Sequence, residues 1–142
     1  MKRSAVREHV FRILFRYEFH NPSEFDSQSE LYFSELNSEE DDFVSANMPD
    51  ARDEAEIRSR VICIAERLPE IDGKLMDACV NWKLDRIGKA ELSILRLATY
   101  EIFYDDEVEA PVAINEAVEL SKKYCDEKSY GFVNGVLSQV VK

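Results

Sequence analysis

Few side chains in this sequence could do covalent chemistry. The two histidines, His9 and His20, have no Cys, Asp or Glu beside them at metal-ligand spacing. Cys63, Cys79 and Cys125 are odd in number, widely spaced and form no C-x-x-C pair. That pattern argues against a disulfide framework or a zinc site and fits a reducing cytoplasm. Glu116 and Glu119 in the INEAVE segment have the i, i+3 spacing of half a di-iron carboxylate site, but no Glu-x-x-His accompanies them. Surface acids next to Lys122 and Lys123 explain them better. No G-x-S-x-G, Walker A or G-x-G-x-x-G is present. The residue types therefore point to a binding protein with no cofactor and no metal.

What remains is charge and aromatic surface. The net charge is −11, but it is unevenly spread. Lys2, Arg3, Arg7, Arg12 and Arg16 face only Glu8 within residues 1–16, a net of +4. Residues 18–56 carry a net of −12, and residues 57–142 a net of −3. A basic head on an acidic chain is a local polyanion site that the overall charge hides, and it permits RNA binding. On a helical wheel Arg12 and Arg16 project opposite the main apolar stripe, with Arg3 and Arg7 at its rim. Solvated arginines on a surface helix are the plain alternative.

Helices must position these groups. Val6, Val10, Ile13, Leu14 and Tyr17 give one buried face to a helix from about Ser4 to Phe19, with Ser4 as a candidate N-cap and Glu8 near the start. Phe11, Phe15 and Phe19 widen that apolar surface, and His20-Asn21-Pro22 stops the helix. Residues 21–56 read as a mobile acidic connection holding one short helix around Leu31, Tyr32, Phe33 and Leu36, with Glu39-Glu40-Asp41-Asp42 unable to pack. Ile57, Val61, Ile64 and Leu68 form the next stripe, ending at Pro69, which opens a helix carrying Ile71, Leu75, Met76, Cys79 and Val80 to Asn81-Trp82. Gly88 reads as an N-cap with Glu91 reaching back to its N–H. The helix 89–104 is apolar almost all round, through Leu92, Ile94, Leu95, Leu97, Ala98, Ile102 and Phe103, and belongs at the centre of the fold. Pro111 opens a helix whose inner face is Ile114, Ala117, Val118 and Ser121. A last helix, from Ser129 to Val141, buries Val133, Val136, Leu137 and Val140. Gly131 and Gly135 each cost that helix about 1 kcal/mol relative to alanine, so a close contact, either helix packing or a ligand, is expected to compensate. Phe132 could supply a stacking ring to such a ligand. The fold class is all-α, a bundle of six or seven helices in two small subdomains, 1–80 and 81–142.

Three strings carry a resemblance: AELSILRLATYEIFY at 90–104, PVAINEAVELSKKY at 111–124 and SYGFVNGVL at 129–137. With the opening Arg7-Glu8 before an apolar-periodic helix, they closely resemble the NusB family of bacterial transcription antitermination proteins. The likeness covers residues 2–19 and 82–142 and implies an all-helical protein of two subdomains joined along a long central helix. It implies a factor, not an enzyme, that pairs with NusE, a small-subunit ribosomal protein. The pair binds the single-stranded boxA element of nascent RNA in ribosomal RNA operons and acts on RNA polymerase indirectly, through the antitermination complex. By the same resemblance Lys2, Arg3, Arg7 and Phe132 are RNA-binding positions. Phe15, Glu91, Lys128 and Phe132 are NusE-binding positions. Two departures bear on affinity: the family's arginine run is here Arg3-Ser4-Ala5, and Lys128 stands where an acid is frequent. The alternatives are a purely protein-binding helical module, or the RNA-binding domain of ribosomal RNA cytosine methyltransferases, for whose cofactor domain a chain ending at Lys142 leaves no room. No membrane partner is expected, and the wide apolar surface of the first helix suits a homodimer as well as NusE.

Overall fold

The computed structural model describes residues 1–17, 25–38, 41–79 and 83–142. Phe19, the His20-Asn21-Pro22 stop, Glu39-Glu40, Val80 and Asn81-Trp82 lie outside the described residues. Eight α-helices form among those described, with short 3-10 turns at Leu36–Ser38 and Leu84–Arg86 and no strand. In order they are α1 (Arg3–Tyr17), α2 (Phe25–Glu35), α3 (Asp42–Ala46), α4 (Ala51–Glu66), α5 (Leu68–Ala78), α6 (Lys89–Tyr104), α7 (Ala110–Tyr124) and α8 (Ser129–Val140). The chain divides into two compact units, Met1–Cys63 and Ile64–Lys142. Among the described residues no helix is long and apolar enough to cross a membrane.

In the first unit α1 lays Val6, Val10, Phe11, Ile13 and Leu14 into the core. The helix begins two residues earlier than the N-cap expectation requires. The Lys2 carbonyl accepts from the N–H groups of Ala5 and Val6, so Ser4 is a helical residue and caps nothing. Glu8 lies beyond the first turn and pairs with Arg12 at i+4 (3.8 Å). The acidic segment is far more structured than its composition suggests. Tyr32, Phe33, Leu36 and Val44 are all buried, and Asp41, expected to be unable to pack, is the N-cap of α3, its Oδ1 accepting from the Val44 N–H at 2.8 Å. Arginines fasten the segment to its neighbours by lying on aromatic faces. The Arg12 guanidinium sits 4.6 Å from the Phe43 ring centre and that of Arg58 4.6 Å from Phe33. Two helices replace the one expected here, which accounts for the count of eight.

The second unit is built on α6, which packs against α5, α7 and α8. Leu92, Ile94, Leu95, Leu97 and Ala98 are buried as the all-round apolar pattern requires. Its last turn departs from that pattern. Phe103 is 40% exposed and carries the Lys74 ammonium 4.1 Å above its ring, so the chain covers it with a cation instead of burying it. Met76 likewise faces solvent, while Ile71 and Leu75 of α5 are wholly buried. Arg96 clamps α5 to α6 through two 2.9 Å hydrogen bonds to the Asp72 carboxylate. In α7 the buried face is Ala113, Ala117, Leu120 and Ser121, turned from the expected arc so that Ile114 and Val118 are only half-buried. Pro69 and Pro111 stand in the first turns of α5 and α7, where a missing N–H costs no helical bond.

Candidate nucleic-acid and protein interfaces

The expected site residues fall into two groups, Lys2, Arg3, Arg7 and Phe15 in the first unit and Glu91, Lys128 and Phe132 in the second. On α1, Lys2 and Arg3 are exposed at the helix start. Arg7 is not the rim residue the wheel suggests. It is 8% exposed, because it shares the helix face of Val10, Phe11 and Leu14, three, four and seven residues on, all of them buried. Phe15 is half-exposed, its ring 6.1 Å from that of buried Phe11, so one phenylalanine belongs to the core while the next offers accessible ring surface. Arg12 and Arg16, which the wheel places opposite the apolar stripe, are paired. An Arg12 Nη1–H donates to Asp41 Oδ2 at 2.9 Å, and Arg16 donates to Glu35 while lying 5.7 Å from the Tyr32 ring centre.

His9 is wholly buried between these elements. Its Nε2 lies 2.8 Å from the Asn47 carbonyl oxygen, which can only accept, so Nε2 carries the proton. In the neutral ring Nδ1 then accepts the Tyr32 hydroxyl at 2.6 Å. Burial lowers the His9 pKa below its ordinary 6.5, partly offset by the bond to Asn47. His9 is thus a polar cross-link tying α1 to α2 and to the chain before α4. No group of three or more His, Cys, Asp or Glu suited to a metal ion occurs among the described residues.

In the second unit a polar cluster forms where α6 and α8 begin and α7 ends. The Ser129 hydroxyl donates to Glu91 Oε1 at 2.7 Å and lies 3.0 Å from Asp126 Oδ1. Asp126 Oδ1 also accepts from the N–H groups of Lys128 and Ser129 at 3.1 and 3.2 Å, satisfying donors that the start of α8 leaves open. Glu91 was expected to reach back to the Gly88 N–H; its carboxylate folds over that residue, the N-cap of α6, and takes its hydrogen bond from Ser129 instead. A Cβ at Gly88 would overlap that carboxylate, so any larger residue there would make the flexible end of Glu91 swing aside. The Cys125 thiol pKa is pushed up to about 12 by burial and by neighbouring Glu91 and Asp126. Glu91 is therefore half-buried and committed to internal partners. The pattern of types could not reveal this, since Glu91 and Ser129 are 38 positions apart. Lys128 is exposed at the start of α8, and Phe132, one turn on, is half-buried.

The α8 glycines have no intramolecular explanation. A Cβ at Gly131 or Gly135 would meet no atom within 4 Å, so neither answers the close helix packing that their cost suggests. Gly131 instead borders an open groove of about 570 Å³ between α7 and α8, lined also by Pro111, Ile114, Val118, Tyr130 and Asn134.

Comparison with known proteins gives one consistent result. The NusB family matches this chain over residues 4–142. A transcription antitermination protein NusB from Lachnoclostridium phytofermentans is 47% identical over 141 residues, 99% of each chain. Another from Agathobacter rectalis is 41% identical, over 98% of each chain. Among solved structures, a NusB of T. maritima aligns with a TM-score of 0.74 at 28% identity, covering 99% of this chain and 90% of that one. A crystal structure of antitermination factors NusB and NusE in complex with double-stranded RNA aligns with a TM-score of 0.73 at 28% identity, covering 97% of this chain and 94% of that one.

Proposed function

This chain belongs to the NusB family, and from that premise we propose that it is a transcription antitermination factor that binds RNA and pairs with NusE. The observation that carries this reading is the near-complete match in both chains to antitermination proteins, 47% identical over 99% of each. The factor works without catalysis and in the cytoplasm, recognising boxA RNA of ribosomal RNA operons jointly with the ribosomal protein. A single strand offers phosphates to cations and unstacked bases to aromatic rings. Lys2 and Arg3 supply accessible cations in the first unit, with Arg7 held in the helix face behind them. Phe132 supplies ring surface in the second unit, beside the exposed Lys128. Phe15 and the Glu91 cluster are the NusE-facing positions.

One observation favours a second reading, a module that binds protein only. Arg7 is buried and Arg12 and Arg16 are paired with carboxylates, which leaves the head with less accessible charge than its composition suggests. Calorimetric titration with NusE, followed by boxA RNA in single- and double-stranded form, separates the two. The antitermination reading expects NusE to bind and RNA to bind the pair more tightly than either protein alone. NusE binding with no RNA affinity in the pair establishes the protein-only module.

A further inference from the structure

Arg12 and Arg16 lie one turn apart on α1, about 6 Å along the helix axis, and each has an aromatic ring and a carboxylate of the acidic segment beside it, Arg12 pairing also with Glu8 of its own helix at 3.8 Å. An aromatic ring supports the guanidinium, Phe43 under Arg12 and Tyr32 beside Arg16. A carboxylate from the acidic segment closes over the polar end, Asp41 on Arg12 and Glu35 on Arg16. The exposures are ordered in one sense. The arginine side chains are 17% and 27% exposed, whereas those of Asp41 and Glu35 are 39% and 46% exposed. The acids are thus the outer members of both pairs. Glu35 also sits in the last turn of α2, where the helix dipole disfavours an acid. Helix stability alone does not account for that placement, but the guanidinium it meets does.

We propose that Arg12 and Arg16 are a second phosphate-binding pair for single-stranded RNA, masked by Asp41 and Glu35 of the acidic segment. The proposal rests on the RNA-binding reading above and adds a regulation to it. A guanidinium that holds a carboxylate offers the same N–H fork to a phosphate, and the rings beneath keep both guanidiniums in place when the acids leave. RNA must therefore compete with an internal anion. Weak or wrong polyanions fail to displace the acids, while a strand already held by Lys2 and Arg3 meets them at high local concentration.

Anisotropy of a labelled single-stranded RNA over a salt series tests this, comparing the parent chain with Glu35→Gln/Asp41→Asn. Asparagine keeps α3 capped, so the change removes charge and little else. Two added phosphate contacts should tighten binding about tenfold near 0.15 M salt and steepen the salt slope by about 1.4. The gain should vanish in an Arg12→Gln/Arg16→Gln background. Asp77→Asn/Asp106→Asn, which removes the same charge elsewhere, should give a much smaller gain. That comparison needs no arginine variant and decides the question even if α1 does not tolerate one. A Glu35→Gln/Asp41→Asn chain no tighter than the charge-matched control overturns the masking. If the parent binds RNA and loses it on Lys2→Ala/Arg3→Ala, that outcome leaves the RNA reading standing. If neither the parent nor the unmasked chain binds RNA, both fall.

Discussion

His9 decides more of the first unit's stability than any charge on its surface. Removing its ring takes a hydrogen-bond partner from the Tyr32 hydroxyl and from the Asn47 carbonyl, and losing the partner of a buried polar group costs about 1–3 kcal/mol. His9→Ala should therefore lower stability by about 3 kcal/mol, read from urea denaturation. The sign of the pH dependence follows from burial. The folded pKa lies below 6.5, so the unfolded chain binds the proton more readily. The neutral-ring contribution is complete above that ordinary value and is lost as pH falls from about 6.5 through the folded pKa, by at most ~1.4 kcal/mol per pH unit. Arg12 opposes the charged ring, while Glu8 and Asp53 favour it. A His9→Gln chain should lack this acid-side loss, and a parent whose stability is flat from pH 7 to 5 would show that the ring is not held neutral. Substitution separates the internal hydrogen bonding of Glu91 from the NusE contact proposed for it. Glu91→Ala should lower stability by about 1–2 kcal/mol, because Ser129 loses its nearer acceptor, and should also weaken NusE binding. Glu91→Gln retains an acceptor and should restore most of the stability but not the NusE affinity. Equal NusE binding by parent and Gln variant would remove Glu91 from that interface.

At the scale of elements, what could be read from the sequence was what local spacing governs. The helix from Lys89 to Tyr104 is legible because its apolar residues leave no polar face to point outward, and Pro69 and Pro111 mark helix starts because proline tolerates nothing else there so well. The acidic segment was misjudged because its anchors are distant. Tyr32 is held by His9, Asp41 by Arg12 and Phe33 by Arg58, pairs separated by 23 to 29 positions for the first two. Composition registers the charges and not the partners. The site was legible in residue type and not in accessibility. Lys2 and Arg3 are exposed, but Arg7 turns into the apolar face and Glu91 into a cluster with Ser129. The α8 glycines give an element-scale prediction. Nothing stands within 4 Å of a Cβ at either, so Gly131→Ala and Gly135→Ala should each stabilise the protein by about 0.5–1 kcal/mol. Thermal unfolding measures the gain, and destabilisation by either alanine would mean that the α8 backbone needs glycine for a reason internal to the chain.

The whole molecule carries −11, and residues 18–56 alone carry −12. An acidic protein that binds RNA must confine its cations and keep its acids occupied. Capping by Asp41 and the pairing of Glu35 with Arg16 put two of those acids to structural use within the first unit. Two phosphate contacts, as proposed for Lys2 and Arg3, give little affinity and a salt slope of only about 1.4 for a single strand. On that proposal, RNA recognition at working ionic strength depends on NusE contributing contacts of its own. The most direct measurement is the salt-dependent affinity of boxA RNA for the complex of this chain with NusE, set against the complex carrying Lys2→Ala/Arg3→Ala. The predicted result is tighter binding by the parent complex, a slope shallower by about 1.4 in the variant, and NusE affinity unchanged between the two. Identical RNA affinity and slope in both complexes would contradict it and leave a protein that meets NusE without touching RNA through its basic head.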